Sequence, residues 1–145
     1  MTIRKLDHVN IRTADLAATR RFYTEVMGME DGYRPPFDFP GIWLYAGEAP
    51  VIHVTDISKG SPRHPADGVI PQGTGMVDHI AFFGDDPEAL RGRLNRAQLR
   101  FEERVVPRNG ILQIFFRDPN GILIEVNHQA AVPVQRERAT VTAGS

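Results

Sequence analysis

The chain repeats itself. Slid along itself by 71 positions, the stretch "VDHIAFFGDDPEA" from Val77 falls on "LDHVNIRTADLAA" from Leu6. Asp7-His8-Val9 lies over Asp78-His79-Ile80, Asp15 over Asp86 and Ala18 over Ala89. A period this long is not that of a solenoid repeat. Two copies in 145 residues read instead as a duplicated module with a pseudo-twofold axis. The constraint is strong, because equivalent side chains should then occupy equivalent places in two similar units.

Each copy begins with an alternating strand, expected at Leu6–Ile11 and Val77–Phe82, then a turn and a helical pattern. In copy one Asp15 is the expected N-cap, Phe22, Tyr23, Val26 and Met27 form the apolar stripe, and Gly28 ends the helix. In copy two Asp86 caps, Pro87 takes the first helical position, and Leu90, Leu94 and Ala97 form the stripe. Strand-like runs follow: "GIWLYAG" and "PVIHVTD" in copy one, "GILQIFFRD" and "GILIEVN" in copy two. Each copy therefore reads β-α-β-β-β, with the first of its later strands poorly marked. Asp118-Pro119-Asn120-Gly121 is a turn signal before the last strand. The expected organisation is α+β and one domain over 1–129: module one at 1–57, a Gly- and Pro-rich linker at 58–75 and module two at 76–129. The tail at 130–145 lacks periodicity and is expected to be loose.

Composition excludes several classes. Net charge is −1 and no run of Lys or Arg exceeds two, so the concentrated basic surface that nucleic acid requires is missing. With no cysteine, disulfides, thiolate metal sites and a cysteine nucleophile are out. Apolar residues at 41% and charged residues at 24% fit a soluble globular domain. No membrane-spanning run and no signal-peptide h-region are visible, so the expectation is a cytoplasmic protein.

Strand residues alternate faces. Leu6, His8 and Asn10 share one face of the first strand, and His79 sits with Val77 and Ala81 in its counterpart. His53 lies opposite Ile52 and Val54, and Glu125 opposite Ile124 and Val126. At a shift of 72, His53 falls on Glu125. The duplication thus places His8 with His79 and His53 with Glu125, four polar side chains on the sheet face away from the helices. A carboxylate inside an apolar strand needs a partner. Three imidazoles and one carboxylate suit a divalent transition metal such as Fe, Mn, Co, Ni or Zn. The competing structural account is also definite: a lone strand His is ordinarily hydrogen-bonded structure, and Arg117 could neutralise Glu125. His64 in the linker reads as exposed, and His128 has the wrong parity to join Glu125.

The stretches "LDHVNIRTADLAATRRFYTEVMGM", "MVDHIAF" and "FRDPNGILIEVN" resemble the vicinal oxygen chelate superfamily, the group of glyoxalase I, bleomycin- and fosfomycin-resistance proteins and extradiol dioxygenases. The resemblance runs from about Leu6 to His128. It implies paired βαβββ modules forming a cupped mixed sheet, often in a homodimer with exchanged modules. It implies His8, His79 and Glu125 as metal ligands. At the fourth position glyoxalase I-like enzymes carry Glu and methylmalonyl-CoA epimerase-like enzymes Gln, whereas this chain has His53. Extradiol dioxygenases carry a His there as an acid–base group, but they usually place a Tyr ten residues before the metal Glu, where this chain has Phe115. His53 is thus either a fourth ligand or the catalytic base. Trp43, Gln113 and Phe115 have the parity to line a substrate pocket. Three functions follow as expectations: a metal-dependent lyase or isomerase of glyoxalase type acting on a small substrate with vicinal oxygens, an Fe(II) extradiol-type dioxygenase, or a non-catalytic small-molecule or antibiotic binder.

Overall fold

The computed structural model describes residues 2–58, 73–107 and 110–129. Most of the expected linker, including His64, and the tail at 130–145 lie outside the described residues. Within them the duplication is explicit. Module one runs β1 (Val9–Thr13), α1 (Leu16–Arg21), β2 (Glu30–Gly32), β3 (Gly41–Ala46) and β4 (Ala49–Asp56). Module two runs β5 (His79–Phe83), α2 (Pro87–Arg96), β6 (Glu102–Val105), β7 (Leu112–Arg117) and β8 (Leu123–His128). The sheets have matching orders, β1-β4-β3-β2 and β5-β8-β7-β6, each with one parallel pair and two antiparallel pairs.

Local chemistry explains the boundaries. Asp15 accepts from the Ala18 amide at 2.9 Å and Asp86 from the Ala89 amide at 3.0 Å, capping the two helices as their sequences require. After α1 the chain widens into a π-helical turn over Phe22–Val26, with the Met27 amide bonded to the Phe22 carbonyl five residues back. Phe22, Tyr23 and Val26 are buried, as are Leu90 and Leu94 in α2. Ala97 departs from the expected stripe: it is the C-cap of α2 and exposed, and Leu99 packs on the core instead.

The first strands start two to three residues later than alternation suggests, at Val9 and His79. Ladder pairing of β1 begins only at Val9↔Ile52 and that of β5 at His79↔Leu123, so the preceding residues have the right pattern but no partner strand. The poorly marked strands are β2 and β6, both at sheet edges. The four residues of β6 are exposed, so no apolar alternation was available to mark it.

The inner faces of both sheets and both helices share one core. It joins Ile11, Ile42, Leu44, Ile52 and Val54 of module one to Ile114, Phe116, Ile124 and Val126 of module two. The helical segment of module one packs against the other module's sheet: the Phe22 and Phe116 rings lie 6.0 Å apart. The Tyr23 hydroxyl donates to the Asp118 carboxylate at 2.9 Å, both buried. The Asp118-Pro119-Asn120-Gly121 turn is therefore more than a hairpin connection. Gly121 takes φ +80 and its amide bonds the Asp118 carbonyl at 3.1 Å. Asn120 accepts from the Thr13 hydroxyl at 2.8 Å and donates to Thr19 at 3.1 Å. The turn latches module two onto module one. No helix among the described residues is long and apolar enough to cross a membrane.

Because the inner faces meet, the outer faces of the two sheets point away from each other. These outer faces carry the histidines and Glu125.

Candidate functional site

On the outer face of module one, His53 lies at the centre of the ladder, paired with Asn10 on β1 and Trp43 on β3. Its imidazole is sandwiched. The Trp43 ring stacks on one side at 3.9 Å and 8°, and the His8 ring at 3.7 Å and 14°. The His53 Nε2 is buried and has no hydrogen-bond partner among the described residues. Burial first, and then the nearby His8, push the His53 pKa below its ordinary value, which favours the neutral ring. The lone pairs of two imidazoles lie in their ring planes. Planes stacked at this separation and nearly parallel do not send them to one point, so His8 and His53 as placed are not co-ligands of one ion.

Module two repeats the position with different chemistry. Glu125 pairs with Ala81 on β5 and Phe115 on β7, the places that Asn10 and Trp43 occupy around His53. The residue is only 6% exposed. Its carboxylate accepts from Gln113 Nε2 at 2.6 Å and lies 2.9 Å from His79 Nε2. Gln113 is fixed in turn by the Arg104 guanidinium, which donates to its Oε1 at 2.7 and 2.9 Å. Arg117 does not neutralise Glu125; it donates to the Gly121 carbonyl at 2.9 Å. His128 is on the core side and 2% exposed.

A feature of both modules escaped the sequence reading. Asp7 Oδ2 lies 2.6 Å from His8 Nδ1, and Asp78 Oδ2 lies 2.8 Å from His79 Nδ1. The contact with His8 holds the Asp7 carboxyl below the usual carboxylate range. Alternation would send Asp and His to opposite faces, but both Asp residues precede their strands, so their side chains can turn back to the neighbouring ring. The available signal was the repeated Asp-His dipeptide itself.

The structure brings His8 to His53 and His79 to Glu125, with Trp43, Gln113 and Phe115 beside them on the same faces. It does not bring the two pairs together. Among the described residues no three His, Cys, Asp or Glu side chains form a set that could hold a metal ion. The donors nonetheless fit a divalent cation in kind. A neutral imidazole has one N–H, yet His79 faces a carboxylate at each nitrogen. A cation held by Nε2 and Glu125 would leave the single N–H to Asp78, the usual way a ligand histidine is oriented. Each chain thus carries two separate polar pairs, His8 with His53 and His79 with Glu125.

Comparison with known proteins agrees with this architecture. The family profile described as "Glyoxalase/Bleomycin resistance protein/Dioxygenase superfamily" matches residues 5–126. The protein named "Glyoxylase I 4" from Arabidopsis thaliana is 26% identical over 132 residues, spanning 89% of this chain and 73% of that one. The crystal structure of lactoylglutathione lyase from Agrobacterium tumefaciens aligns with TM-score 0.64 and 22% identity over 88% of this chain and 96% of the other. A glyoxylase/bleomycin resistance protein/dioxygenase domain from Frankia sp. EAN1pec aligns with TM-score 0.70 and 20% identity, covering 88% and 93%. With the family profile spanning both modules, the chain belongs to the glyoxalase/bleomycin resistance protein/dioxygenase superfamily.

Proposed function

We propose that this protein is a divalent-metal-dependent lyase or isomerase of glyoxalase type. It works in the cytoplasm as a homodimer whose site joins His8 and His53 of one copy to His79 and Glu125 of the other. The observation that supports this most is the equivalence of the half-sets: His53 and Glu125 hold the same ladder position in two modules whose outer faces diverge. Three further features favour a second copy. Among the described residues, strands β1 and β5 are end strands with one neighbour each, and a second copy can lie along such edges. A groove of about 710 Å³ runs between them, lined by Leu6, Asn10, His79 and Ala81 among others. Exposed Ile3, Leu6, Met76, Val77 and Phe83 lie in or near these strands, an apolar surface of the kind that partners cover.

His8, His79 and Glu125 would hold the ion, which when bound polarises the oxygens of a chelating substrate and stabilises the charge that develops on them. The protein's own residues do the rest. Asp7 and Asp78 keep the two ligand rings turned with Nδ1 toward a carboxylate. Gln113, braced by Arg104, fixes the Glu125 carboxylate. His53, neutral between Trp43 and His8, is the proposed base; its Nε2 is buried as placed, so a flanking ring must shift for it to accept the substrate proton and return it to the product. The resemblance to the "Glyoxylase I 4" protein supports this reaction class over oxygen-dependent ring cleavage, as does Phe115 in place of the tyrosine that resemblance assigns to dioxygenases.

Metal analysis of the purified protein followed by a hemithioacetal and catechol screen tests the assignment. Turnover of a hemithioacetal without oxygen uptake is expected. Oxygen consumption on a catechol with Fe(II) would make the protein a dioxygenase, and ligand binding with no retained metal would make it a binding protein.

A further inference from the structure

The loop between β2 and β3 places a cation on the outer face of module one. Glycine at 41 makes this possible. Alternation along β3 puts Gly41 and Trp43 on the outer side and Ile42 in the core. A Cβ at Gly41 would meet the Val54 carbonyl oxygen first, then Arg34 Nη2 at 3.0 Å and its Cζ at 3.2 Å; the Arg34 charge also acts on the His53 ring, so the guanidinium lies near the His53 face of the sheet. It is positioned there by three contacts. Nη2 donates to the Phe39 carbonyl at 3.0 Å, and Cζ sits 4.9 Å from the Phe37 ring centre and 5.0 Å from that of Phe39. None of these neutralises its charge, and among the described residues Arg34 makes no ion pair with a carboxylate. A guanidinium has five N–H donors, and one is used here.

The rings continue from this cation to the proposed base. Phe37 is 5.4 Å from Phe39 and 6.3 Å from Trp43, and Trp43 stacks on His53. Phe37 remains 47% exposed, an open aromatic surface beside an uncompensated cation.

We propose that Arg34, Phe37 and Trp43 form a subsite for an aromatic carboxylate, the aryl group lying against the rings and the carboxylate paired with Arg34. Arg34 is suited to this task, since its planar fork matches a carboxylate in two-point contact. Partial burial already lowers its pKa from the ordinary value. As an account of substrate class the proposal rests on the catalytic reading above, but the subsite itself belongs to one module and needs no metal.

The test uses the full-length protein after chelator treatment. Trp43 is the chain's sole tryptophan, so its emission reports on the subsite directly. Phenylacetate is titrated beside phenylacetamide, which keeps the ring and loses the charge, and acetate, which keeps the charge and loses the ring. Phenylacetate should bind with a roughly millimolar Kd and the other two more weakly. Arg34→Gln should weaken phenylacetate about ten-fold and leave phenylacetamide unchanged, with Arg34→Lys between the two. Phe37→Ala should weaken both ring-bearing probes, with circular dichroism verifying the fold of each variant. Equal binding of phenylacetate and phenylacetamide, no binding of phenylacetate, or an Arg34→Gln protein that is folded and binds normally would each overturn the proposal. Because metal is removed, an absence of lyase activity in the loaded protein would defeat the functional assignment without touching this result.

Discussion

At the scale of single residues, the division of labour between His53 and the proposed ligands depends on ring geometry. His53 is held between two rings with its Nε2 unpartnered, which suits a base and not a co-ligand of His8. His53→Ala should therefore retain metal while turnover falls by about 10²–10⁴-fold, the usual loss of a general base. Lost metal in that variant would make it a ligand. Asp78→Asn separates orientation from ligation: metal affinity should fall roughly ten-fold, since such partners of ligand histidines typically contribute that much. Competition against a calibrated chelator measures it, and unchanged affinity would mean that Asp78 is only a surface neighbour. The sequence made His8, His53, His79 and Glu125 legible through parity and repetition. It did not make Asp7 and Asp78 legible as their partners, because that contact depends on where each strand begins.

At the scale of elements, the turn before β8 carries more than its local pattern reveals. Proline, asparagine and glycine at 119–121 announced a reversal, but nothing local indicated that Asp118 would be buried under Tyr23 of the other module. Burial and the Asp118 carboxylate raise the Tyr23 pKa well beyond its ordinary value, so the phenol stays a donor. Tyr23→Phe leaves a buried carboxylate with one donor fewer and should cost about 2 kcal/mol, measurable as a shift of the urea midpoint. The end of β8 adds a pH dependence. His128 has a buried Nδ1 without a partner among the described residues. Its pKa lies below the ordinary 6.5 because of burial first and the Arg91 charge second, with Asp85 and Asp86 opposing. Below that ordinary value the unfolded chain binds the proton more readily than the folded one, so stability is lost as pH falls. His53 shifts the same way. The urea midpoint should drop between about pH 7.5 and about pH 5.5, and His128→Leu should lessen the drop. An identical drop in both proteins would remove His128 from this role. Strands β2 and β6 were the least legible elements, since an exposed edge strand requires no apolar alternation.

At the scale of the whole molecule, the duplication predicted two similar modules but could not say how they pack. That choice was made by contacts between distant residues, such as Phe22 on Phe116 and Asn120 on Thr13 and Thr19. With the inner faces joined, each chain presents His8 with His53 and His79 with Glu125 as separate pairs, and the proposed site takes a second copy to unite them. Mixing two inactive variants tests this most directly. Chains carrying His8→Ala and chains carrying His79→Ala are unfolded together, refolded, and assayed for bound metal and turnover. In a twofold dimer with shared sites, a mixed pair has one site with both defects and one with neither, so random mixing should restore roughly a quarter of the wild-type sites. If each site is built within a single chain, every site keeps a defect, and the mixture would recover neither metal nor turnover.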